Sequence, residues 1–313
     1  MSDRNADGPR HSRRDLLKVL GAGAVAGAGG VALSAAKALG EAAEASDSPG
    51  FWSLFREHYR EMSRAEVSAM VARLERKYGR QYGGEVTVET TPAPEGVVFG
   101  YALSLDRCRG YRDCVHACAR ENNLGRDPEI QYIRVLEIEG NEVKLSAGVS
   151  DYDPEQVPQP GKRYLPVQCF QCDDPPCVQA CPVDATWMEP DGIVVIDYDH
   201  CIGCRYCMTA CPYWARRFNW KSPSVPAEEL NRQTHYLGNR PRPRGVVEKC
   251  SFCIQRTRKG ELPACQQACP TGARVFGNLL DPDSPIRYVL ENKTVFRLKE
   301  ELGTEPKFWY FAG

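Results

Sequence analysis

Cysteine is absent from the first 107 residues and from everything after position 269, yet the 313-residue chain holds 15 of them. Thiols crowded into one window are a constellation and not background usage. The chain has no glycine-rich nucleotide loop and no Ser/His/Asp constellation in recognisable context, and its five histidines are scattered, so nothing marks an active site for an organic substrate. Long hydrophobic runs are lacking as well. Beyond one Ala/Gly-rich stretch near the N-terminus, no segment approaches the roughly 18 uncharged apolar residues of a membrane span. Excess charge of either sign is missing, with 40 Lys plus Arg against 41 Asp plus Glu, so net charge selects no class of partner. What is present is ordinary globular material, 42% apolar and 26% charged, which argues against disorder over most of the chain.

The N-terminus reads His11-Ser12-Arg13-Arg14-Asp15-Leu16-Leu17-Lys18, followed by the weakly hydrophobic run Val19 to Ala36. This resembles a twin-arginine export signal, and Ala36-Lys37-Ala38 offers a small-x-small cleavage site. Residues 1–38 are therefore set apart from the fold, and the mature chain is expected in the periplasm or on the outer face of the cytoplasmic membrane. An uncleaved membrane anchor is the alternative, since about 18 residues just span a bilayer. Residues 39–96 read as a helical extension and linker. Ser63-Arg64-Ala65-Glu66 has capping-box spacing, and Val67, Met70, Val71, Leu74 and Tyr78 fall on one helical stripe that should end before Gly79 and pack on its own domain. Thr90 to Gly96, with two prolines, reads as the linker.

Four cysteine runs follow. The third, Cys201-x2-Cys204-x2-Cys207-x3-Cys211-Pro212, has the form used by bacterial ferredoxins, in which three thiolates wrap one iron-sulfur cube and the fourth ligates the other cluster of a pair. One run thus implies a second. The second run places Cys169, Cys172, Cys177 and Cys181-Pro182; the last places Cys250, Cys253, Cys265 and Cys269-Pro270. The first run, Cys108, Cys114 and Cys118, keeps the register but has Tyr111 where the second thiolate belongs. Disulfides suit an exported protein but fit an odd total and repeated close pairs poorly. Structural zinc normally joins two pairs and needs no run of three plus one.

Between the runs the chain reads as short strands and turns. Thr186-Trp187-Met188 and Ile193 to Ile196, around Glu189-Pro190-Asp191-Gly192, form one expected hairpin; Ile130 to Ile138 and Glu142 to Leu145, around Gly140-Asn141, form another. The fold class is α+β, with metal needed to hold so divided a core.

Residues 97–311 resemble the four-cluster iron-sulfur subunit family, which includes the electron-transfer subunits of polysulfide, tetrathionate and dimethyl sulfoxide reductases. The resemblance implies two interleaved ferredoxin-like units: an inner one, 168–220, and an outer one, 97–167 with 240–280, followed by a C-terminal tail, 281–313. Spacing alone leaves every pairing of the four runs open; the resemblance selects this one. It also implies the ligand sets. One 4Fe-4S cluster takes Cys201, Cys204, Cys207 and Cys181; its neighbour takes Cys169, Cys172, Cys177 and Cys211; a third takes Cys250, Cys253, Cys265 and Cys118. The fourth site has only Cys108, Cys114 and Cys269, which suits a 3Fe-4S cluster, with tyrosinate ligation by Tyr111 or an empty site as alternatives. The implied partners are a membrane quinone-reactive subunit at one end and a catalytic molybdopterin or multihaem cytochrome subunit at the other.

From Cys201 to Gly260 there are 12 Lys plus Arg against 3 Asp plus Glu. With Tyr213, Trp214, Phe218 and Trp220 nearby, this local excess has the look of a nucleic-acid surface, a reading set aside for an exported cluster protein. Such charge raises cluster potentials, docks an acidic partner, or is solvated surface. His116 and His200 read as polar neighbours of clusters and not as ligands. The functions in play are an electron-transfer subunit of a quinone-linked complex, a freestanding iron-sulfur reductase, and a zinc or disulfide scaffold.

Overall fold

The structure, a computed structural model, describes residues 62–139 and 150–313. The expected export signal, the start of the 39–96 extension and the expected Glu142–Leu145 arm of the second hairpin lie outside the described residues.

The first described helix, α1 (Arg64–Tyr82), opens on the expected capping box: the Ser63 hydroxyl accepts from the Glu66 N–H at 3.3 Å, and the Glu66 carboxylate accepts from the Ser63 N–H at 2.8 Å. The helix passes through Gly79 and stops at Gly83, whose φ of 62° is left-handed. That extra turn corrects the expected end before Gly79. A mid-helix glycine costs about 1 kcal/mol, which the packing of the next turn through Tyr82 outweighs. Leu74 and Tyr78 are buried against Val86, Val88, Val225, Leu230 and Tyr236, so the stripe packs on its own domain.

The strands are β1 (Thr87–Glu89), β2 (Phe99–Ser104), β3 (Arg134–Glu139), β4 (Lys162–Val167), β5 (Thr186–Met188), β6 (Val194–Ile196), β7 (Arg216–Phe218), β8 (Gln233–His235), β9 (Val247–Lys249), β10 (Arg274–Asn278), β11 (Val295–Phe296) and β12 (Phe308–Phe311). Among them run α2 (Asp113–Glu121), the single turns α3 (Pro176–Gln179), α4 (Tyr206–Thr209), α5 (Ile254–Thr257) and α6 (Ala264–Gln267), and α7 (Pro285–Asn292). The α+β expectation holds. β5 and β6 pair antiparallel with Trp187 opposite Val195, as the hairpin reading required. β3 pairs antiparallel with β4, Arg134 opposite Val167, a partner that the sequence reading did not supply.

The central sheet has the order β10-β2-β12-β11. Residues 281–313, set apart as a tail, supply its β12, which lies parallel to β2 with Phe308 opposite Tyr101. Phe308 and Tyr310 are fully buried. Their rings join an aromatic core reaching into three cysteine runs: Phe308 stacks on Tyr101 at 5.1 Å and on Phe170 at 5.0 Å, and Phe170 meets Tyr213 at 4.4 Å. Phe252 meets Tyr101 at 5.6 Å. Each such pair contributes about 0.5–1.5 kcal/mol beyond its buried area. Because Phe170, Tyr213 and Phe252 lie within two residues of Cys169, Cys211 and Cys250, this core fixes the loops that carry the thiols.

Candidate functional site

All four runs share one backbone device. The residue before the second ligand position is left-handed in each: Gly110 (φ 83°), Gln171 (47°), Gly203 (75°) and Phe252 (52°). The turn doubles the chain back and aims main-chain N–H groups inward, a small anion-binding nest. The N–H of Phe252 points at Cys250 Sγ at 3.4 Å, and those of Gly110 and Gly203 serve Cys108 and Cys201 alike. Glycine is obligatory at position 110, where a Cβ would sit 2.5 Å from the Tyr164 ring.

The loops bring the cysteines together in four groups. Cys181, Cys201, Cys204 and Cys207 line one shared space. Cys169, Cys172, Cys177 and Cys211 line another. Cys118, Cys250, Cys253 and Cys265 are all buried, and the Asn122 amide lies 3.6 Å from the sulfurs of both Cys118 and Cys253. Cys108, Cys114 and Cys269 line a fourth space together with Tyr111. Among the described residues, no three His, Cys, Asp or Glu side chains converge on a point fit for a single metal ion. The sulfurs instead line volumes, which suits a polynuclear cluster better than zinc bonded at about 2.3 Å to each thiolate.

The groups also have an order. Cys207 lies close enough to Cys177 to feel its charge, Cys250 feels Cys169, and Cys118 and Cys265 feel Cys114. The chain of neighbours is therefore the Cys201 group, the Cys169 group, the Cys250 group and the Cys108 group. Cys201 and Cys204 at one end and Cys108, Cys114 and Cys269 at the other are partly exposed, whereas all four cysteines of the Cys250 group are buried.

Burial pushes the thiols up, Cys207 and Cys108 to about 11 and Cys172 and Cys253 to about 12. Loading iron must therefore displace protons. Cys269 moves the other way: burial raises it, but the Thr271 hydroxyl and the N–H groups of Ala273 and Thr271 outweigh that and lower it.

Several side chains that the sequence reading passed over belong to this site. Arg216 lines both of the first two spaces and donates to Cys177 Sγ at 3.0 Å and to the Thr186 hydroxyl at 3.0 Å. Arg274 donates to Cys114 Sγ at 3.4 Å and to the Gln168 side-chain Oε1 at 2.8 Å. Among the described residues, four buried donors have neither a hydrogen-bond acceptor nor an ion-pair partner: Arg216 Nε and Nη1, Arg112 Nε and Gln168 Nε2. All four lie beside the thiol groups. Sulfide-rich clusters would supply their missing acceptors, so the donor set fits iron-sulfur ligation. A repeated phrase was the available signal: Cys211-Pro-Tyr-Trp-Ala-Arg216 and Cys269-Pro-Thr-Gly-Ala-Arg274.

His116 is exposed, and His200 Nε2 lies 2.7 Å from the Val183 carbonyl oxygen. The cationic excess of 201–260 is no single surface patch, since Arg216, Arg240, Arg242, Lys249 and the Arg258 side chain are buried. No helix among the described residues is long and apolar enough to cross a membrane.

Residues 161–279 match the family model of a 4Fe-4S dicluster domain. The provisionally named iron-sulfur subunit of a dimethyl sulfoxide reductase from Halobacterium salinarum is 42% identical over 223 residues, covering 69% of this chain and 79% of that protein. A selenate reductase subunit from Mesobacillus selenatarsenatis is 38% identical over 67% of this chain and 70% of its own. The iron-sulfur cluster-binding subunit of menaquinone reductase from Nitratidesulfovibrio vulgaris is 37% identical over 69% of this chain and 89% of its own.

Proposed function

The chain belongs to the family of iron-sulfur electron-transfer subunits of reductase complexes, and from that premise we propose that it relays electrons within an exported, membrane-associated, quinone-linked oxidoreductase. It holds three 4Fe-4S clusters on the Cys201, Cys169 and Cys250 groups and a 3Fe-4S cluster on Cys108, Cys114 and Cys269. When bound, such clusters each take up and give back one electron. The protein's part is to hold them in file, bury the Cys250 group from water and tune the clusters with buried donors.

The observation that carries this reading is the exchange of fourth cysteines. Cys181, from the second run, closes the space formed by the third run, and Cys211, from the third, closes that of the second. Cys118 joins the last run's group in the same way. That exchange supports two interleaved ferredoxin-like units. A relative named as a menaquinone reductase subunit supports a quinone-reactive membrane partner at one end of the file, and one named as a selenate reductase subunit supports a catalytic molybdopterin or cytochrome partner at the other.

Iron and sulfide analysis with a visible spectrum tests the reading: brown protein with iron and sulfide near equal is expected, and colourless protein holding only zinc refutes it. Export is tested separately, since replacing Arg13 and Arg14 by lysine should retain the protein in the cytoplasm, and normal export of that variant rejects the twin-arginine assignment.

A further inference from the structure

Buried cations normally have carboxylates beside them, because an isolated charge in the interior costs several kcal/mol or more. Most of those here obey. Arg240 meets Asp199 at 3.0 Å, Arg242 meets Glu248 at 3.1 Å, Arg258 meets Asp191 at 2.8 Å, and Lys307 meets Asp173. Three do not. Among the described residues Arg216, Lys249 and Arg274, each at most 3% exposed, form no ion pair with any carboxylate.

Their places are systematic. Arg216 stands between the Cys201 and Cys169 groups, lining both spaces. Lys249 stands between the Cys169 and Cys250 groups: its ammonium donates to the Gln171 side-chain Oε1 at 3.3 Å, to the Cys250 main-chain carbonyl at 2.8 Å and to the Val194 main-chain carbonyl. Arg274 stands between the Cys250 and Cys108 groups, 4.0 Å from Cys265 Sγ and 3.4 Å from Cys114 Sγ. Moreover, Arg216 and Lys249 are cross-strand partners on β7 and β9, a like-charge pairing that is destabilising unless an anion intervenes.

We propose that Arg216, Lys249 and Arg274 are positioning charges for electron transfer, one at each junction of the file, each serving as the counter-ion shared by the two clusters that flank it. The proposal rests on the electron-relay reading above. An electron crossing a junction oxidises one side and reduces the other by the same single charge while staying beside the same cation; no bond changes and no proton moves. Neutralising one cation should therefore disfavour reduction at its two flanking sites and leave the others nearly unmoved.

The test is a redox titration of the full-length protein, followed by electron paramagnetic resonance, for Arg216→Gln, Lys249→Met and Arg274→Gln. Each should shift the reduced-to-oxidised ratio of two sites at least tenfold at fixed potential, about 59 mV downward for a one-electron couple. Each end site should respond to one variant and each inner site to two. Fully loaded variants whose potentials stay put, or whose four potentials all move alike, overturn the proposal. Where a glutamine variant fails to load iron, Arg216→Lys and Arg274→Lys decide: loading restored by lysine supports the charge, and loss in both overturns it. Absence of iron-sulfur clusters from the unmodified protein would instead refute the relay reading itself.

Discussion

The proposed inner and outer halves of the cluster-binding body end in the same phrase, Cys-Pro-x-x-Ala-Arg, and each holds one run that opens with the same backbone. Gly203 (φ 75°) is followed by Cys204 and then Arg205 (φ 68°); Gly110 (φ 83°) is followed by Tyr111 and then Arg112 (φ 62°). Arg205 and Arg112 each cap the helix that follows. At the second ligand position the two loops part, a thiol in the inner half and a 40% exposed phenol in the outer, while Ile202 and Tyr206 of the inner loop stand where the outer has Arg109 and Asp113. The loop is thus specified by glycine, the left-handed turn and its packing, not by the ligand it carries, and a ligand can be lost without losing the loop.

If so, the glycines matter more than the fourth thiolate. The largest effect is expected at Gly203, where a Cβ would run into the Gly245 carbonyl oxygen, a backbone atom that cannot swing aside. Gly203→Ala adds left-handed strain to that clash and should cost about 3 kcal/mol with loss of iron. At Gly110 the obstacle is the Tyr164 ring, a side chain and not backbone, so Gly110→Ala should cost about 2 kcal/mol. Urea midpoints and iron content of both variants check the order; equal tolerance at the two positions would break the comparison.

Tyr111 tests the other side. A cube takes one protein ligand per iron, and the outer group counts only three thiols. A phenol is a weak, high-pKa ligand beside a thiolate. The air-oxidised protein should show the paramagnetic signal of a three-iron cluster, and Tyr111→Cys should abolish it with a gain of one iron. A native protein without that signal, together with a variant gaining about four irons, would mean an empty site.

What was legible in advance was local. The capping box at Ser63, the β5–β6 hairpin and the cysteine runs each lie within a few residues of their own partners, and the runs repeat. The pairing of runs came from resemblance, since thiol spacing does not say which distant segment closes a site. The β4 partner of β3, the insertion of β12 beside β2 and the burial of Arg216, Lys249 and Arg274 all depend on contacts across long stretches of chain. In the sequence those three cations were merely part of a basic stretch; only the absence of carboxylates around them in three dimensions sets them apart. The helix end was misjudged because Gly79 is a sufficient stop in isolation and Tyr82 makes it an insufficient one.

The smallest expected effect asks whether the halves lean equally on the N-terminal extension. They should not. His235 on β8 holds the extension: its Nε2–H donates to the Thr91 carbonyl at 3.0 Å, and its Nδ1 accepts from the Leu237 N–H at 3.1 Å. The same segment is tied more to the outer half, where Asn123, just past α2, donates to the carbonyls of Asn231 and Asn239 at 2.9 Å, than to the inner, which it meets through the Tyr236 hydroxyl donating to Asp197 at 2.9 Å. Burial lowers the His235 pKa to about 4; the Thr91 carbonyl and Glu89 oppose this, and Arg258 and Lys259 add to it. The fold therefore prefers the neutral ring, because protonation takes away the Nδ1 acceptor. That stability is fully present above the unfolded value of about 6.5 and is lost as pH falls toward 4. At pH 5.5 the loss should be about 1.4 kcal/mol. Amide exchange should quicken first around α1, β8 and the end of α2, while α4 and β7 of the inner half stay protected. His235→Gln cannot titrate, so this pH response should vanish in it. A response that persists in the variant, or that reaches both halves together, would show that the extension braces the whole body and not its outer half.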